Sequence, residues 1–135
     1  TEEPAFPFGG AGLVSTPQDY DRFQRMLLNL GEIEGTRVMS EPAVRLATSN
    51  ILPVDAVADF PWIAGAGFGA GGRVGLNGDD RGSFGWGGAA GTLSMLYYPL
   101  NIRMGLYTQY MPSNAYDMMP EVQAALQKDF AAMRG

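Results

Sequence analysis

Residues Phe84 to Thr92, Phe-Gly-Trp-Gly-Gly-Ala-Ala-Gly-Thr, combine apolar, β-prone flanks with glycine at four of nine positions. Glycine inside a strand marks a bulge or a place where something approaches the backbone closely. The only bulky side chain at the centre is the Trp86 indole, so the segment reads as a strand whose backbone is bared for a substrate. Bared amide N–H groups can donate hydrogen bonds to such a substrate. Taken alone, the same residues also fit a core indole beside a β-bulge.

Few other residues compete for chemistry. The chain has no cysteine and no histidine, which removes disulfides, thiolate metal sites, and the commonest metal ligand and general base. No metal site and no cofactor are expected. Glu32 with Glu34, and Asp79 with Asp80, are carboxylate pairs, but their turn-like surroundings read as solvated charge. Gly67-x-Gly69-x-x-Gly72 has the spacing of a dinucleotide fingerprint, yet Arg73-Val74-Gly75-Leu76 continues as strand where that motif must open a helix. Net charge is −5, and the nine basic residues are one lysine, Lys128, and scattered arginines, so there is no footprint for nucleic acid. No apolar run approaches the roughly 20 residues that span a bilayer, and no signal peptide is visible.

At 135 residues, 46% apolar and 17% charged, the chain has the composition of one globular domain. It starts Thr1-Glu2-Glu3, as expected of a processed chain or an excised fragment. Pro4 to Gly10 reads as an extended surface strap. Thr16 offers a helix N-cap before Pro17 at the first helical position, and Tyr20, Phe23, Met26, Leu27 and Leu30 form an apolar stripe that Gly31 ends. Ser40 caps a shorter helix carrying Val44, Leu46 and Ala47, and residues 51 to 65 read as a loop. A meander of about four antiparallel strands follows, over 67–76, 82–89, 92–98 and 102–110. Asn77-Gly78-Asp79-Asp80 and Pro99-Leu100-Asn101 supply turns. The last strand is largely apolar on both faces, so both need covering. A helix from about Asp117 closes the chain, with Pro120 in its first turn and Val122, Leu126, Phe130 and Met133 along one side.

The order of motifs favours the substrate-wall reading of Trp86 over the core one. Gly9-Gly10-x-Gly12-Leu13-Val14-Ser15-Thr16 leads into the helix that ends Leu27-Leu28-Asn29-x-Gly31, and Ser40-Glu41-Pro42 follows. Then come Gly67-Phe68-Gly69, the Trp86-Gly87-Gly88 strand, a hairpin, Thr108-Gln109 and a C-terminal helix. Together these resemble the C-terminal portion of a β-lactamase-related serine hydrolase, with Trp86-Gly87-Gly88 nearest the carboxylesterase branch of that penicillin-binding-protein-like family. The resemblance covers nearly all of this chain but only part of the family's catalytic domain. It departs at the nucleophile. None of Ser15, Ser40, Ser49, Ser83, Ser94 and Ser113 has the family's lysine three residues later, and none of the six tyrosines is followed two residues on by serine or asparagine.

The resemblance implies an α+β fold, with helices flanking an antiparallel sheet, as residues 1–135 of a single, incomplete β-lactamase/transpeptidase-like domain. It implies that the Ala89 N–H is one oxyanion donor, that Gly87 and Gly88 let the acyl group lie against the strand, and that Trp86 is an apolar wall. It implies a nucleophile in polypeptide upstream, so the chain alone is expected to be inactive. The substrate implied is a small acyl ester. The expected partner is the N-terminal portion of the same hydrolase, or a second copy, paired through the strand from Ile102 to Tyr110. The alternative is a non-catalytic binding module on the same scaffold, using its open strand to capture a peptide.

Overall fold

The computed structural model describes residues 13–53 and 63–134. The first helix, α1 (Pro17–Leu28), starts where the sequence predicts: the Thr16 side chain accepts the Asp19 N–H at 3.1 Å and Pro17 takes the first position. It ends in a Schellman motif, with Gly31 N–H bonded to Met26 O, Leu30 N–H bonded to Leu27 O, and Leu30 itself left-handed at φ 54°. Gly31 is required here, because a Cβ would lie 2.1 Å from Met39 O. A hairpin of β1 (Glu32–Ile33) and β2 (Thr36–Arg37) turns through Glu34 and Gly35, both at positive φ, as a two-residue loop demands. Helix α2 (Glu41–Ala47) carries the expected Ser40 cap.

The α+β class and antiparallel pairing are as expected, with corrections to strand number and length: the strand expected to reach Ala89 ends at Gly87, and the one expected to reach Tyr110 ends at Leu106. Residues 67–76 form two strands, β3 (Gly67–Phe68) and β4 (Arg73–Val74), because the chain reverses through Gly71 at φ +86°. With β5 (Ser83–Gly87), β6 (Leu93–Tyr97) and β7 (Ile102–Leu106), the sheet has five strands in the order β3-β4-β5-β6-β7. Helix α3 (Met118–Arg134) contains Pro120 in its first turn. Residues 54–62 of the expected loop, and the strap from Pro4 to Gly10, lie outside the described residues.

Strand register sorts the side chains onto two faces. Val74, Phe84, Leu96 and Arg103 lie opposite one another in turn and face α1, where Arg103 pairs with Asp21. The core sits on this side: Met26, Leu27 and Leu28 of α1, Val44 of α2, and Val74, Phe84 and Leu96 of the sheet. Ser83, Tyr97 and Ile102 face the other way, where the Phe130 ring of α3 stacks on Tyr97 at 5.0 Å.

Met26, Leu27 and Leu30 of the expected stripe lie in or against the core, but its N-terminal part does not. Tyr20 and Phe23 are 37% and 47% exposed, whereas Gln24 is 2% exposed. Burial of Gln24 is possible because its amide is satisfied across the core by Ser94 Oγ and Met104 O. A buried polar group with its hydrogen bonds made carries little penalty.

Candidate functional site

Strand β5 is paired along one edge and only partly along the other. Towards β6 the ladder runs from Tyr98 N–H bonded to Gly82 O, at 3.2 Å, to Gly88 N–H bonded to Thr92 O, at 2.8 Å. Hydrogen-bonding direction alternates along an antiparallel strand, so Gly82, Phe84, Trp86 and Gly88 address β6 while Ser83, Gly85 and Gly87 address the β4 side, and Ala89 lies in the turn that follows. Gly75 N–H meets Ser83 O, and Arg73 lies opposite Gly85. The chain then turns away into the β3–β4 hairpin. Gly87 has no β4 residue opposite it, and among the described residues no backbone hydrogen bond reaches the Ala89 N–H.

Trp86, Gly87, Gly88 and Ala89 are all exposed. The Trp86 indole is 40% exposed and meets the Phe68 ring edge-on at 5.2 Å. It is a surface wall and not a core residue. Phe68 is the part of this wall that sequence reasoning left unassigned, although Gly67-Phe68-Gly69 marked the position.

The glycines of the segment differ in why they are there. A Cβ at Gly85 would sit 2.0 Å from Ser94 O, and one at Gly88 would sit 2.1 Å from Thr92 Oγ1. Packing forbids a side chain at Gly85, and at Gly88 the Thr92 hydroxyl would have to turn away. At Gly87 the nearest atom to an added Cβ is Thr92 O at 3.6 Å, an ordinary contact. Packing inside the chain therefore leaves Gly87 unexplained, whereas an external group lying along the strand would require a bare backbone there.

The open strand end leads into a groove of about 1220 Å³ between the sheet and α3, lined by Ala89, Leu93, Met95, Met104, Leu126 and Phe130. At its other end Arg73 forms an ion pair with Asp80, and Ser83 Oγ donates to Asp80 Oδ1 at 2.6 Å. Asp80 is therefore a structural tie that pins the β4–β5 connection, not the purely solvated charge its sequence context implied. Ser83 is 4% exposed and its hydroxyl is engaged by that tie. Glu32 and Glu34 are half-exposed partners of Arg37 and Arg22, each at 2.9 Å. Tyr98, whose hydroxyl donates to Leu27 O, has its pKa raised by burial and stays a neutral donor.

The arrangement can present the unpaired Ala89 N–H, a bare strand and an aromatic wall to an extended acyl group. Among the described residues, no helix is long and apolar enough to cross a membrane.

No family model matches the chain. It is similar, at 32% identity over 136 aligned positions, to "Uncharacterized protein MT1414" of Mycobacterium tuberculosis (strain CDC 1551 / Oshkosh) and to "Protein Rv1367c" of Mycobacterium tuberculosis (strain ATCC 25618 / H37Rv). The alignment covers 91% of this chain and 33% of each relative. The chain thus spans about a third of the length of the curated relatives it matches.

Proposed function

We propose that this chain is the C-terminal portion of a β-lactamase-related serine hydrolase of the carboxylesterase type, contributing the oxyanion strand and one wall of the acyl pocket. The supporting observation is that Gly87, a glycine that packing does not require, ends the open edge of β5 and is followed two residues on by Ala89, whose N–H in the next turn has no backbone partner among the described residues. In the reaction a serine hydroxyl from upstream polypeptide adds to the ester carbonyl, losing its proton to a neighbouring base. The carbonyl oxygen gains the negative charge, and Ala89 N–H donates to it alongside the nucleophile's own N–H. The alcohol leaves with a proton, and water repeats the sequence on the acyl-enzyme. Trp86 and Phe68 hold the acyl group against Gly87 and Gly88.

The outer edge of β7 is the proposed site of association with that upstream portion. Among the described residues β6 is its one strand neighbour, and an exposed strand edge is a template for another strand. The test is to supply the N-terminal portion in trans and assay nitrophenyl butyrate. The chain alone is expected to give no turnover, and the reconstituted pair to hydrolyse the ester and co-migrate. Turnover by the chain alone would refute the location of the nucleophile.

One observation favours a second reading, a binding module: Ser83, one of the hydroxyl residues lining the groove, is committed to Asp80. In that case reconstitution yields a complex without hydrolysis.

A further inference from the structure

Thr108-Gln109 belongs to the motif order of the sequence but has no part in the pocket described above. We infer that Thr108 is a positioning residue for the Ala89 amide, an inference that rests on the hydrolase reading and assigns the oxyanion donor its support.

Beyond β7 the chain runs beside the Gly88–Thr92 turn. Thr108 Oγ1 lies 2.5 Å from Gly91 O and 3.2 Å from Ala90 O. A hydroxyl has one proton, and the shorter contact takes it. Ala90 O receives the Tyr110 N–H instead, at 3.2 Å. Within the turn Gly91 N–H donates to Gly88 O at 3.1 Å, and Gly88 N–H donates to Thr92 O. The carbonyls of Gly88, Ala90, Gly91 and Thr92 all accept hydrogen bonds.

The decisive link is the peptide plane between Gly88 and Ala89. In a planar trans peptide the N–H points opposite to the C=O. Holding Gly88 O towards Gly91 therefore aims Ala89 N–H outwards, and Gly91 is held in turn by Thr108. Gly91 cannot be replaced without disturbing this, since its φ is +74° and a Cβ would lie 2.5 Å from Thr108 Oγ1 and 2.9 Å from the Tyr110 ring. Thr108 thus sets the direction of the donor without touching it.

Two measurements test this. Amide hydrogen exchange on the chain compares Thr108→Val, which keeps shape and loses the hydroxyl, with Thr108→Ser, which keeps the hydroxyl. In the Val variant the Gly91 and Tyr110 amides are expected to exchange at least about tenfold faster. In the Ser variant they stay within about threefold of the parent, and the Leu96 amide is unchanged in both. If Val disturbs Leu96, Thr108→Ala replaces it under the same thresholds. Unchanged Gly91 and Tyr110 amides overturn the inference.

In the polypeptide that also carries the nucleophile, the Val variant is expected to lower kcat for nitrophenyl butyrate about tenfold with KM within twofold, and Ser to restore it. Faster amides with unaltered kcat overturn the inference and leave the hydrolase reading standing. Absence of turnover in the parent overturns the hydrolase reading and the inference with it.

Discussion

The Gln24 side chain reaches from α1 to the backbone of β7, where Nε2 donates to Met104 O at 2.7 Å; the same nitrogen lies 3.0 Å from Ser94 Oγ. This amide ties the helix to two neighbouring strands through a site that is 2% exposed. Gln24→Leu conserves volume but leaves both acceptors without that donor. It is expected to destabilise the chain by about 1–3 kcal/mol, read as a lower urea midpoint at unchanged slope. An equal or higher midpoint would show that the amide contributes nothing beyond its volume.

Gly87 and Gly88 are adjacent and should respond oppositely to the same change. Gly88→Ala drives a Cβ into Thr92 and is expected to cost at least about 1 kcal/mol, whereas Gly87→Ala meets only an ordinary contact and stays within about 0.5 kcal/mol. In the reconstituted hydrolase the ranking of interest reverses: Gly87→Ala keeps stability and loses ester turnover, because its methyl occupies the line of the acyl group. Thermal melts and nitrophenyl butyrate kinetics on both variants check this.

Asp21 has its pKa held below the ordinary 3.8, chiefly by its hydrogen bond from Arg103. A carboxyl lowered in the folded state stabilises the chain above its unfolded value, and that contribution disappears as pH falls through the folded value. The window therefore lies below about pH 4. Both side chains are well exposed, so the contribution is about 0.5 kcal/mol at most. Arg103→Met is expected to return the Asp21 carboxyl titration to its ordinary position and to flatten the acid limb of stability slightly. Carboxyl NMR titration of both proteins decides it.

What the sequence revealed divides by the range of the interactions responsible. The caps at Thr16 and Ser40 are hydrogen bonds across three residues, and both were legible. The exposed strand end at Trp86–Gly87 was legible too, because glycine density reports on the backbone directly, although Gly88 and Ala89 belong to the turn beyond it. The reversal between β3 and β4 was hidden, since Phe68, Arg73 and Val74 look continuous until Gly71 takes a positive φ. The burial of Gln24 was hidden because it turns on finding acceptors 70 and 80 residues away. Thr108 acts across 17 and 18 residues of sequence, and only its place in the motif order marked it.

Strand β4 is two residues long, and that brevity governs whether Gly87 is accessible at all. Continuing the β4–β5 register would set residue 71 against Gly87 and zip over the strand end. Lengthening that hairpin by a single pleat would thus abolish the opening without altering any residue in it. Within such a scaffold, an indel in the 69–72 reversal would separate chains with an accessible cleft from those without one.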